Sequence, residues 1–275
     1  MNRRLTLGLA AVLAIGACSD APTSNSDTGN GPSFITHGQL DGNAHPAVVL
    51  IVMDVGGNPA FLCSGTLLAP TVVLTAGHCA GEPGDFSGVR IFTESDVQNG
   101  TNDFPFAGGP NSVEAAAWTA HSQFTNAAFF LHDVGVLELS EPVTLPIGAQ
   151  FGTLPAVNQL NTLRPRSSTR FTSVGYGVQR INPVKIEFQL IRMKANPHLI
   201  QINRGIVGSF SLLLSNNAST GGTCFGDSGG PNYVGSSNVI AGVTSFALNG
   251  TCGGTGGVFR LDRADVLAFV GSFLD

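Results

Sequence analysis

The chain is written as short apolar runs, each stopped by Gly, Asn, Pro or Ser, and this punctuation limits its fold more than any other feature. The runs are AVVLIVM from Ala47, FLCSGTLL from Phe61, TVVLTA from Thr71, VRIF from Val89 and VGVLEL from Val134. After a polar, proline-bearing stretch they resume as RFTSVGYG from Arg170, KIEFQLIRM from Lys185, GIVGSFSLLL from Gly205, NVIAGVTSF from Asn238 and GGVFRL from Gly256. Segments of this length, rich in β-branched residues and bounded by turn formers, are strands. The abundance of glycine, 36 residues, fits a chain with many turns. Only DRADVLAFVGSFLD breaks the pattern: Asp262 stands where a helix cap would, and Val266, Leu267, Val270, Phe273 and Leu274 fall near a helical stripe. The expected fold is all-β, in two β-rich halves joined near residues 141–168, with a C-terminal helix over 262–274.

Hydrophobic residues make up 43% and charged residues 11%, which places the chain among folded proteins. A net charge of −5 without Lys/Arg clusters argues against a nucleic-acid partner. The amino terminus is different in kind. Arg3 and Arg4 precede an apolar stretch from Leu5 to Ala17 that is short for a membrane span and right for a signal peptide. It ends in Ile15-Gly16-Ala17-Cys18, which resembles the lipobox of bacterial lipoproteins, so Cys18 is the expected lipidation site. An ordinary signal cleaved nearby is the alternative; the paired arginines fit twin-arginine export poorly. Residues 1–17 thus read as signal peptide, 18–33 as a flexible polar tether and 34–275 as one folded domain. The protein is expected to be exported, either lipid-anchored to a bacterial membrane or secreted, and to touch membrane only through the anchor. Cys63, Cys79, Cys224 and Cys252 remain; in an exported domain they suggest disulfides, with three possible pairings. Pairing within each half closes separations of 16 and 28 residues, worth about 3 kcal/mol per bridge in the loop-entropy model.

Ser228 sits in Gly226-Asp227-Ser228-Gly229-Gly230-Pro231. A surface turn would use the same residue types, and the letters also fit G-x-S-x-G, the nucleophile elbow of α/β-hydrolases. A serine nucleophile needs a base, usually histidine. The histidines are His37, His45, His78, His121, His132 and His198, and all precede Ser228. The elbow requires the order serine, acid, histidine, so order alone excludes it.

Histidine before serine is the order of the chymotrypsin-like serine peptidases of the trypsin family. The chain resembles them in three segments: LTAGHC at 74–79, HDVGVLEL at 132–139 and CFGDSGGP at 224–231. The resemblance implies two six-stranded antiparallel β-barrels, at about 34–150 and about 165–261, with the active site between them. It implies His78 as general base, Asp133 as its orienting acid and Ser228 as nucleophile. It assigns the oxyanion hole to the N–H groups of Gly226 and Ser228, and pairs Cys63 with Cys79 and Cys224 with Cys252. Ser245 matches the family serine that supports the aspartate, and SVGYG at 173–177 the loop beside the oxyanion hole. The primary pocket would have Gly222 at its floor, Ala247 and Gly257 as walls, and Thr223 and Phe246 beside them. No carboxylate is among these, which implies a preference for apolar residues before the scissile bond. Ile35, in ITHG, matches the new amino terminus that pairs with Asp227 in many relatives; here Phe34 precedes it, so a trypsin would not make the cut.

The expected activity is a monomeric endopeptidase acting on polypeptides, with no cofactor and no metal. A catalytically silent surface lipoprotein that binds protein in the same cleft is the alternative, and esterase activity a side reaction. His37, His45, His121 and His198 read as structural or exposed, and His132 as a solvated neighbour of Asp133. The stretch Glu94–Asp103 is rich in calcium-type oxygen ligands but lacks the EF-hand order, and a solvated loop is the expectation.

Overall fold

The computed structural model describes residues 35–181 and 186–274. The signal, tether and Cys18 assignments, and Phe34, lie outside the described residues.

A short strand β1 (Gln39–Leu40) precedes the first barrel. That barrel consists of β2 (Val48–Val55), β3 (Asn58–Ala69), β4 (Val72–Thr75), β5 (Gly88–Phe92), β6 (Ser112–Ala120) and β7 (Gly135–Leu139). It closes in the order β2-β3-β4-β7-β6-β5, every pairing antiparallel. Residues Val48 to Met53 of β2 are all buried, as expected of a strand covered on both faces. The β2–β3 turn is Gly56-Gly57, with φ of 58° and 79°. A two-residue loop with both central residues at positive φ matches the right-handed strand twist, and only glycine adopts it without strain.

The second half contains β8 (Arg166–Gly175), the pair β9 (Arg180–Ile181) and β10 (Ile186–Glu187), then β11 (Met193–Ala195), β12 (His198–Ile202), β13 (Ser211–Asn216), β14 (Pro231–Val234), β15 (Ile240–Ala247) and β16 (Gly254–Arg260). The order β8-β12-β13-β16-β15-β14 closes into a second six-stranded barrel through the β8–β14 pairing. β1 joins this half, through β11. Two helices complete the fold: α1 (Gly77–Ala80) and α2 (Ala264–Gly271). Among the described residues no helix is long and apolar enough to cross a membrane.

Three local expectations change. The run from Lys185 is not one strand: Leu190, at φ 51°, separates β10 from β11. The run from Gly205 opens with a 3-10 turn over Gly205–Val207, bracketed by positive-φ Gly205 and Gly208, and extends only from Ser211. Asp262 does not cap the helix, which starts at Ala264 behind Arg263 with no side-chain cap. Asp262 is instead fully buried: it takes 2.8 and 2.9 Å hydrogen bonds from the Arg260 guanidinium and a 2.8 Å bond from the Leu160 N–H. It therefore ties the segment between the barrels to β16.

The halves are pinned by Arg192, whose side chain is buried. Nε approaches Asp41 Oδ2 at 3.3 Å, Nη1 donates to the Val48 carbonyl, the Thr93 carbonyl and the Tyr176 hydroxyl, and Nη2 donates to the Gly42 carbonyl. Burial works to raise the Asp41 pKa, but bonding and charge from His45, with the Arg192 charge, outweigh it and hold the carboxyl below its ordinary value.

Candidate active site

The end of β4 leads into α1, which presents His78. Gly77 lies there because a Cβ would sit 2.7 Å from the Phe124 ring and 3.1 Å from the Val134 nitrogen. Cys79 is bonded to Cys63 on β3, and Cys224 to Cys252. Asp133, just ahead of β7, is completely buried. His78 Nδ1 lies 3.0 Å from both carboxylate oxygens, the His78 backbone N–H donates to Oδ1 at 2.9 Å, and the Ser245 hydroxyl donates to Oδ2 at 2.5 Å. A charge out of water needs such partners. Ser245 reaches Asp133 from the irregularity in the β15–β16 register between Thr244 and Phe246. Burial disfavours the charged imidazole, yet the Asp133 charge and hydrogen bond prevail and raise the His78 pKa.

Ser228 lies in a turn fixed by both barrels. The Ser64 N–H donates to the Ser228 carbonyl at 2.7 Å, the Ser64 hydroxyl to the Gly226 carbonyl at 2.9 Å, and the Gly229 N–H to the Thr244 carbonyl at 2.8 Å. Gly229 has φ 77°, and a Cβ there would stand 2.0 Å from Thr75 Oγ1 and 2.5 Å from the Ser64 carbonyl oxygen. Conformation and space both demand glycine. Among the described residues, the N–H groups of Gly226 and Ser228 have no acceptor.

Asp227, between them, points the other way and is fully buried. It accepts 2.8 Å bonds from the N–H groups of Gly177 and Cys224. Burial pushes its pKa up to about 7, with these two bonds pulling back. The glycines of SVGYG make room for it: a Cβ on Gly175 would lie 2.3 Å from Asp227 Oδ1, and one on Gly177 2.5 Å from Cγ. Ile35 is buried against Met193, Ala195 and Ile191. Next to it, Thr36 bonds to the Asn216 side chain at 2.6 Å and to the Gly222 carbonyl at 3.2 Å.

His78 and Ser228 line two adjoining cavities. One, of about 550 Å³, is walled by Met53, Phe61, Leu62, Phe86 and Phe225, with Gly226. The other, of about 410 Å³, is walled by Phe129, Thr223, Phe225, Ser245, Phe246 and Ala247. Two expected pocket residues are placed differently. Gly257 lies beneath Phe246, where a Cβ would be 2.4 Å from the ring, and Gly222 packs on Asn216, where a Cβ would be 2.3 Å from Cγ. Neither is among the residues lining the cavity. Ser64, Phe129 and Phe225 were not legible in the sequence; Ser64 had only its place after Cys63 as a signal.

Glu94 and Asp96 spend their oxygens inside their own loop, on the Thr101 N–H and Asn102 amide and on the Asn99 N–H and amide. Among the described residues no group of three His, Cys, Asp or Glu side chains converges there.

The trypsin family profile matches residues 38–263. Brachyurin of Leptuca pugilator is 28% identical over 201 residues, 70% of this chain and 78% of that protein. Chymotrypsin-like elastase family member 1 of Macaca fascicularis is 28% identical over 221 residues, 76% of this chain and 77% of its own. The solved structure of HL collagenase superposes with a TM-score of 0.67 at 21% identity, over 87% of this chain and 97% of that one, a likeness of fold. With a profile match spanning both barrels, the chain belongs to the trypsin family of chymotrypsin-like serine peptidases.

Proposed function

We propose that the protein is an active, exported serine endopeptidase working through an acyl-enzyme. The observation that carries this reading is the network in which Asp133 receives His78 and Ser245 while Ser228 shares both cavities with His78. Ser228 Oγ attacks the substrate carbonyl carbon. His78 Nε2 takes the hydroxyl proton and returns it to the leaving amine, and Asp133 holds Nδ1–H and the ring orientation. The N–H groups of Gly226 and Ser228, without an acceptor among the described residues, take the oxyanion. Water then repeats the cycle on the ester. Alanine at His78, Asp133 or Ser228 should each cut peptide kcat by several orders of magnitude, with double substitutions adding little. Unchanged peptide hydrolysis in Ser228→Ala would refute the assignment.

The residue before the scissile bond is proposed to be apolar. The smaller cavity is walled by Phe225, Phe246, Ala247 and Thr223 and has no carboxylate in its lining. A buried Lys or Arg would stand unpaired there. With the Phe246 ring over Gly257, Leu and Met should be favoured over Phe and Tyr. A peptide library tests this, and a preference for Arg or Lys would overturn it. An apolar pocket still admits Phe, though less readily than Leu or Met, so slow cleavage at Phe34–Ile35 is permitted, and the freed ammonium would supply the cation that Asp227 needs. Amino-terminal sequencing of active protein should start at Ile35; active protein still carrying Phe34 contradicts it. Anchoring rests on Ile15-Gly16-Ala17-Cys18, and Cys18→Ser should abolish an acyl mass on the intact protein. Acyl chains stabilise the membrane-bound form by about 0.8 kcal/mol per buried CH₂.

A further inference from the structure

Beside Asp133, a second cluster gathers. His121 follows β6, His132 immediately precedes Asp133, and Asp265 lies in the first turn of α2. One donor atom from each falls within 4.8 Å of the others. The imidazoles of His121 and His132 stack, with centroids 5.0 Å apart and planes 14° apart. His132 Nδ1 stands 3.8 Å from Asp265 Oδ2 and, though that atom is buried, has no hydrogen-bond partner among the described residues. His132 is also held at φ 52°, a conformation that costs a non-glycine residue free energy and that surrounding structure must impose.

We propose that His121, His132 and Asp265 form a binding site for a divalent transition-metal ion of the zinc class. Two imidazole nitrogens and one carboxylate oxygen are the donors such ions take, while calcium and magnesium prefer oxygen alone. Bond lengths of about 2.0–2.2 Å require the donors to close in on one another from their present spacing. Asp265 can supply that movement, because its side chain is half exposed. His121 must also turn a lone pair to the ion; its Nδ1 now accepts a long bond of 3.2 Å from the Gln123 N–H, which is cheap to give up. Three protein ligands leave a fourth position for water. Among the described residues the other histidine-bearing group, His78 with Cys63 and Cys79, offers no thiolate because those cysteines are bonded to each other. A bound ion would clamp α2 to the residue next to Asp133.

The chain supplies its own reporter. Trp118, its single tryptophan, lines a cavity of about 330 Å³ together with His121. The test uses the full chain, free of any histidine tag, titrated with Zn²⁺ by calorimetry and with Ni²⁺ by Trp118 fluorescence. We expect one Zn²⁺ per chain, quenching by Ni²⁺ at the same stoichiometry, and a Zn²⁺-dependent rise in Tm. Asp265→Asn, at a half-exposed position, and His132→Asn, which keeps a residue tolerant of positive φ, should each weaken Zn²⁺ binding by at least about tenfold. No binding by the parent, or parental affinity in either variant, overturns the site.

Discussion

At the scale of the residue, the glycines around Ser228 are not equivalent to turn glycines elsewhere. Gly229 combines φ 77° with a Cβ position 2.0 Å from Thr75 Oγ1, whereas Gly235 has φ 58° and open space around it. Gly229→Ala should therefore lose the backbone strain, about 1–3 kcal/mol, and a steric cost besides, while Gly235→Ala loses only the strain. Urea unfolding of both variants measures the difference, and equal losses would contradict the packing described for the serine turn. The second residue-scale consequence concerns pH. General-base action needs neutral His78, and its pKa is raised, so kcat/KM should fall on the acid side with a midpoint above the ordinary histidine value of about 6.5. A midpoint below that value would show that the Asp133 interaction does not prevail over burial. Ser228, His78 and Asp133 were legible because their motifs carry them in order. Ser64 and Phe225 were not, because what qualifies them is a carbonyl or a cavity supplied by residues far away in sequence.

At the scale of the element, strands were easier to read than the segments between them. The run from Ala47 is apolar without interruption because β2 is covered on both faces, and the Gly56-Gly57 turn marks its end. The runs from Lys185 and Gly205 look equally strand-like, yet Leu190, Gly205 and Gly208 adopt positive φ and divide them, which apolar content cannot reveal. Asp262 is the sharpest case. A capping aspartate replaced by alanine costs about 0.5–2 kcal/mol. Asp262 instead neutralises fully buried Arg260, so Asp262→Ala should cost about 3–5 kcal/mol by leaving that cation unpaired. Chemical denaturation decides between the two, and a loss near 1 kcal/mol would return Asp262 to a capping role.

At the scale of the whole molecule, two closed barrels bring together the proposed catalytic set: His78 and Asp133 come from the first, Ser228 and Ser245 from the second half. Asp227 is the strained member of that assembly. Its folded pKa is raised from 3.8 to about 7, so the stability it contributes is complete below about 3.8 and is lost as pH rises through about 7. Chain still joined at Phe34–Ile35 should thus unfold more easily at pH 8 than at pH 5 through this group. Chain beginning at Ile35 should lose that slope, since an ammonium partner favours the carboxylate. Identical pH profiles for the two forms would separate Asp227 from activation. The fold was legible from run spacing together with the three motifs; the cavity beside Ser228 was legible in part, since Thr223, Ser245, Phe246 and Ala247 line it, while Gly257 lies under the Phe246 ring and a rotamer leaves no trace in sequence. The central claim is that Ser228 is a nucleophile activated by His78. A fluorophosphonate probe followed by peptide mass mapping tests it most directly. The account predicts one adduct per chain, on Ser228, absent in Ser228→Ala and greatly slowed in His78→Ala. A parent protein that takes no probe, whether or not Phe34 has been removed, or an adduct that survives Ser228→Ala, would contradict it.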